Sequence, residues 1–463
     1  MKKNVNFITA ILMWLISYFY IDNTFNTYSL GFSITIFTTL IVGLSYWYII
    51  EHGIEVSNES YWYMAYVLLI GLSYSIFSAS GLRFIKMLVL LSSLGYWLLV
   101  VSNSRTSKVI DHNIFRDLFM KIFIKPISKL HLLTVNLFFK VSIKDKKTKN
   151  IVYGLVIAFP ILLVVVALLS STDSTFNNLL NTFINLKFLE NINIFYLVVS
   201  FLLASGFFSA LFININEKGN NNYKEFYLDK TIIKTILISF ILVYVVYLIS
   251  VSYTYLNYQV VDLKASQISS YAKSGFYELC AVSFINFILF IFSRWLVEEE
   301  DKNLKSLLCV IGIQTLIMIA LAMLRLFVYI GIYGLTYLRF NALVFMVLLF
   351  ITVILFIIGV YKNINYTKIS VLIGSFVFLV LCYTNIGKLI ISYNYHINNF
   401  NYYDYYSYGY ESIPYLIKEY NESDNNEDIK NIIDNFKYDL NETRYINHTV
   451  ESLNYLKMLE EMK

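Results

Sequence analysis

The sequence predicts an all-α membrane protein: a polytopic transmembrane helical bundle of about eleven spans, with a small helical extracytoplasmic tail at the C-terminus. Three observations carry that prediction. Of the 463 residues, 58% are hydrophobic and only 14% charged, against roughly 45–50% apolar and about 25% charged in soluble domains. Many apolar windows reach the roughly 20 residues that cross a bilayer core as helix. These windows are continuous and lack the alternation of barrel strands. Backbone groups in hydrocarbon must then pair within their own segment, which makes each window a helix. Three prolines and 18% aromatic residues exclude a disordered chain.

The expected spans lie near 5–22, 30–50, 61–79, 84–102, 151–171, 194–213, 231–252, 275–296, 305–324, 338–360 and 369–387. The first has no A-x-A-like exit and more spans follow it, so it reads as a retained helix and not as a leader. Little more than Ser80-Gly81-Leu82-Arg83 separates the third from the fourth, a tight hairpin. Pro160 is placed to kink the fifth. Four regions result: an N-terminal four-span membrane region (1–102), a basic amphipathic cytoplasmic loop (103–150), a seven-span membrane core (151–387) and an extracytoplasmic helical tail (388–463).

Charge sets the expected orientation. Residues 103–150 carry eleven Lys/Arg against three Asp, and cytoplasmic loops collect positive charge. Four spans before that loop put Lys2, Lys3 and the N-terminus in the cytoplasm; seven after it put the tail outside the cell membrane. From Lys388 onward the tail has thirteen acidic and seven basic residues. Acidic residues on the inner side (Glu51, Glu55, Glu59 and the EEED run at 298–301) weigh little in topology.

Within the loop, Ile114, Phe115, Leu118, Phe119, Ile122 and Phe123 recur at helical spacing, with Arg116, Asp117 and Lys121 set apart from them. This predicts an amphipathic helix closed by Pro126. Its basic residues Arg116, Lys121 and Lys125 suit the anionic inner-leaflet lipids, each contributing about 1 kcal/mol; a helix packed under the bundle is the alternative. In the tail, Ile429, Ile432, Ile433 and Phe436 form one apolar stripe, and Val450, Leu453, Leu456 and Leu459 another. About seventy residues bury only a modest core, so the tail is expected to lean on the outer ends of the spans.

Chemistry-bearing patterns are few. Cys280, Cys309 and Cys382 all fall in apolar runs and read as packing residues. The five histidines are scattered. No P-loop, no G-x-S-x-G and no metal-ligand spacing occurs, so no cofactor is expected; the residues STDSTF at 171–176 read as a helix cap. Intramembrane polar residues are the better pointer, because each costs several kcal/mol unless partnered. The candidate polar cluster is Lys273, Glu278, Asn286, Arg325 and Arg339, with positions 278, 282 and 286 on one helix face. Lys234 and Arg294 sit near span ends, where long side chains reach water. Between Leu324 and Ala342, Gly331 and Gly334 are expected to turn the chain, Thr336 to cap the next helix, and Tyr329, Tyr333 and Tyr337 to join the interfacial belt.

The stretches YAKSGFYELCAVSFINF (271–287), RLFVYIGIYGLTYLRFNALVFM (325–346), LLSSTDSTF (168–176) and the tail's YDYYSYGYESIPYLIK (403–418) resemble the bacterial integral-membrane family called domain of unknown function 4173. The motif residues are Tyr271, Gly275, Phe276, Arg325, Tyr329, Ile330, Tyr333, Gly334, Leu335, Thr336 and Arg339. The chain departs at Ser274, where the family carries a carboxylate. The resemblance implies a multi-pass bacterial envelope protein and supplies no reaction. With no catalytic set in view, the sequence favours a non-enzymatic envelope sensor or assembly partner, in contact with the bilayer and with an envelope protein. The alternatives are a transporter of a small or lipid-like molecule and a polytopic enzyme acting on a lipid-linked substrate. Nothing in the sequence points to nucleic acid.

Overall fold

In the computed structural model the residues described are 2–25, 31–77, 82–111, 113–138, 194–216, 229–257, 279–291, 293, 297, 302–362, 364–396, 408–422 and 426–461. Among these every regular element is a helix, and no strand occurs. The N-terminal helices are α1 (Lys2–Phe25), α2 (Phe32–Glu51), α3 (Asn58–Ile76) and α4 (Arg83–Val101). A broken helix follows, made of α5 (Asn113–Asp117), a π-helix (Leu118–Ile124) and α6 (Lys125–Ser128), then α7 (His131–Phe138). The later helices are α8 (Ile194–Asn216), α9 (Lys230–Asn257), α10 (Leu279–Ile291), α11 (Lys302–Tyr333), α12 (Tyr337–Tyr361), α13 (Tyr366–Cys382) and α14 (Ile386–His396). The tail holds α15 (Ile413–Glu422), α16 (Glu427–Glu442) and α17 (Val450–Glu461).

Seven described helices are long and apolar enough to cross a membrane, namely α1, α2, α4, α8, α9, α11 and α12; α13 and α14, bent by 72° at their junction, count as an eighth if taken as one span. The expectation of eleven spans is therefore met in part. The window at 151–171 and the STDSTF run lie outside the described residues. The window at 275–296 is represented by the short apolar helix α10. The helix α3 packs between α2 and α4, but Asn58, Glu59, Ser60, Ser73 and Ser75 dilute its hydropathy.

Among the described residues two large hydrophobic cores form, with a small third around Tyr96, Val100 and Ile110. One joins α1–α4, α7 and α8 around Trp97, Tyr48, Phe208 and Ile70. The other joins α9–α14 to the tail, so that Ile413, Leu416, Ile429, Ile433 and Phe436 share a core with Leu335, Ile386 and Ile390. The tail thus packs on the helix ends, and the predicted stripe at 429–436 is wholly buried. The second stripe is rotated: Val450 is exposed, while Glu451, Ser452, Tyr455 and Leu459 turn inward.

The C-terminal ends of α1, α3 and α11 lie with the tail at one end of the bundle. The N–H groups of Gly31 and Phe32 donate to the carbonyls of Asn447 and His448. A side chain at position 31 would collide with the His448 carbonyl, so the approach requires glycine. An ion pair from Arg444 to Asp22 (2.8 Å) completes this clamp on α1 and α2. At the opposite end, Arg105 bridges to Glu59 with two 3.1 Å bonds, and Asn365 Nδ2 donates to the Ile110 carbonyl.

Candidate functional site

The α11–α12 turn is built by one glycine. Gly334 has φ +72°, the left-handed region that favours glycine, and its N–H closes α11 onto the Ile330 carbonyl at 2.8 Å. Gly331 does not turn the chain; it lies inside α11, which runs on to Tyr333. Asn394 of α14 reads the backbone of Leu335 on both sides. Its Oδ1 accepts from Leu335 N (2.6 Å) and its Nδ2 donates to Leu335 O (2.7 Å) and to Tyr408 (3.1 Å). A Cβ at position 334 would stand 2.6 Å from Asn394 Oδ1. Thr336 caps α12, its hydroxyl accepting from Arg339 N.

Arg339 serves the same turn. Its Nη1 donates to the carbonyls of Tyr333 and Gly334 (2.9 and 2.5 Å) and its guanidinium lies 4.1 Å from the centre of the Tyr329 ring. These are the free carbonyls at the C-terminal end of α11, where the helix dipole favours a cation.

Asn286 is buried at a different level. Tyr244 of α9 donates to its Oδ1 at 2.5 Å, and its Nδ2 donates to Thr315 of α11 at 2.9 Å. Thr315 passes its own proton to the Ile311 carbonyl. Thr315 and the buried Arg325 are ten residues apart on α11, about 15 Å along the axis. Of the candidate cluster, Asn286 thus lies level with Thr315, Arg325 nearer the α11–α12 turn, and Arg339 at that turn. Lys273 and Glu278, like the motif residues Tyr271, Gly275 and Phe276, lie outside the described residues.

The inner face of the basic helix is rotated with respect to expectation. Lys121 is 2% exposed and pairs with Asp117 at 2.9 Å. Its ammonium also donates to Ser104 O (2.5 Å) and Thr106 Oγ1 (3.2 Å), while Asp117 accepts from the Thr106 N–H and hydroxyl. Lys121 is thus a buried latch between the helix and the segment after α4, not a surface cation. Ile114, Leu118 and Ile122 lean inward, and Phe115, Phe119, Phe123 and Ile127 face out. Pro126 does not close the helix. The π register, in which Lys125 N–H donates to Met120 O, would ask Pro126 to donate to Lys121 O; proline has no N–H. The side chain of Asn214 in α8 stands in, its Nδ2 reaching Lys121 O at 3.4 Å.

Sequence reading missed three residues that organise these sites, Asn214, Asn394 and Lys86. The first two are ordinary amides whose partners lie far away in the chain. Lys86, one turn into α4, resembles a snorkelling residue in sequence but is 3% exposed.

Among the described residues no group of three or more His, Cys, Asp or Glu is arranged to hold a metal. The family model that matches spans residues 64–419 and is described as "Domain of unknown function (DUF4153)". It runs from α3 into α15 and begins well before the stretches at 168–176, 271–287, 325–346 and 403–418 that carry the motif resemblance. It also corrects the family, which is not the domain of unknown function 4173. No curated protein and no solved structure matches.

Proposed function

The chain belongs to the DUF4153 family, and from that premise we propose a non-enzymatic multi-pass protein of the bacterial cell membrane that acts as an envelope sensor or assembly partner. In this reading the N-terminus and the basic segment are cytoplasmic, and the tail is extracytoplasmic. The carrying observation is that both appended elements are clamped to opposite ends of the bundle. The tail is held by Gly31–Asn447 and Arg444–Asp22, and the broken helix by Asp117–Lys121. Such clamps make the bundle respond to whatever binds either element. The deep polar network at Asn286 supports the same reading, because its amide is spent on Tyr244 and Thr315.

The outward Phe115, Phe119, Phe123 and Ile127, with Arg116 and Lys125 on the same helix, suit an inner-leaflet interface of apolar chains under anionic headgroups. The partner protein is assigned to the tail, whose Tyr438 and Tyr445 are the large exposed aromatics of α16 and the turn after it. Photo-crosslinking in cells from Tyr438 and Tyr445 tests this. The expected result is one discrete protein adduct; no adduct, together with solute movement by the purified protein in liposomes, would favour the transporter.

A further inference from the structure

We propose that the tail-side end of α4, where it packs beside α3 and α13, is an anion site: Lys86 holds one phosphate or carboxylate group, with Arg83 at its rim. This site is independent of the envelope-partner reading and survives its failure.

Three observations converge. Lys86 is 3% exposed, and its ammonium lies 5.2 Å from the centre of the Tyr74 ring. Among the described residues no carboxylate pairs with it and no carbonyl or hydroxyl accepts from it, whereas the equally buried Lys121 has Asp117, Ser104 O and Thr106. A desolvated cation–π contact contributes about 2 kcal/mol, less than the several kcal/mol that burying an ammonium costs. The neighbouring side chains add no compensating charge: the Tyr74 hydroxyl donates its hydrogen bond to the Arg83 carbonyl, and the Cys382 thiol stands within electrostatic reach.

The second observation is the helix end itself. The first turn of α4 carries no acid and holds the buried Lys86, a cation at a helix end whose dipole already favours negative charge. A buried ammonium in the first turn of a helix is unfavourable by itself and favourable with an anion bound. The third is the surroundings. Arg83 stands beside Tyr74 and Tyr410 of the tail, while Phe84, Ile85 and Leu88 face outward on the same turns. An apolar surface beside a buried cation matches a phospholipid whose phosphate reaches in and whose chains lie along α4. A free phosphate or small carboxylate shares the recognition chemistry and arrives from water.

Native mass spectrometry of the mildly extracted protein tests the site, using wild type, K86M and K86R. The prediction is one anion per wild-type chain, retained in K86R and reduced at least tenfold in K86M. An adduct with phospholipid mass assigns the lipid source, and one with phosphate or carboxylate mass assigns the soluble source. Add-back in phosphatidylcholine nanodiscs, titrated with phosphatidylglycerol or inorganic phosphate, gives a second measure. Equal retention by K86M, with its tail as protease-resistant as wild type, overturns the proposal. Where K86M does not accumulate, the wild-type titration decides: saturable uptake of one anion supports the site, and no uptake of either probe overturns it.

Discussion

Single side chains carry a disproportionate share of this fold, because a buried polar group left without its partner costs about 1–3 kcal/mol. Asn214 is the sharpest case. Its amide satisfies the one carbonyl that Pro126 strands, so N214A is expected to destabilise by about 1–3 kcal/mol. P126A restores an N–H, and N214A/P126A should recover part of that loss. Thermal unfolding in detergent reads both, and strict additivity would refute the coupling. Gly334 is equally specific. G334A forces a left-handed backbone on a side chain, a cost of about 1–2 kcal/mol, and drives it into Asn394; loss of the Leu335–Asn394 pairing would appear as faster amide exchange at Leu335. His448 provides a pH dependence. Burial holds its imidazole below the usual pKa, in a setting of Tyr445, Ser452 and the Arg444–Asp22 pair. The folded state thus binds a proton less readily than the unfolded chain. Stability is full above the ordinary imidazole range and declines as pH falls from that range toward the depressed value. Protease release of the tail should increase on acidification in wild type and less so in H448Q.

At the scale of elements, the long helices were legible because burial in lipid selects unbroken apolar runs; α1, α2, α4, α8 and α12 follow them closely, whereas α9 and α11 run on past the expected ends, α11 as far as Tyr333. The tail stripe at 429–436 was legible for the usual reason, a 3.6-residue period. The broken helix at 113–128 was legible only as a helix. Its period is disturbed by the π turn, whose register depends on Asn214, 93 residues away. Its inner face is rotated to take in Asp117 and Lys121 because these find each other and the Ser104–Thr106 segment, which no hydropathy pattern encodes. D117N leaves an uncompensated buried ammonium, and about 3–5 kcal/mol of stability should go with it. The outward phenylalanines make a distinct prediction. Fluorescence of F119W should be quenched by lipids brominated high on the acyl chain, and emission typical of water would remove the face from the membrane.

For the whole molecule, the claim is that a helical bundle holds two clamped elements at its opposite ends, basic at one and acidic at the other. Of the candidate cluster of Lys273, Glu278, Asn286, Arg325 and Arg339, the first two lie outside the described residues, and the partners of the others come from distant parts of the chain or from their own turn. Asn286 sits with Tyr244 and Thr315, and Arg339 closes its own turn. Substituted-cysteine labelling is the most direct measurement of the architecture. The native Cys309 and Cys382 are buried and Cys280 half-buried, so new positions are read against a low background. Tyr445→Cys in the tail, at a site 75% exposed, should react with a membrane-impermeant maleimide in intact cells. Val109→Cys, exposed at the opposite end, should react only after permeabilisation. Labelling of both positions from the same side, or in the reverse order, would contradict the account.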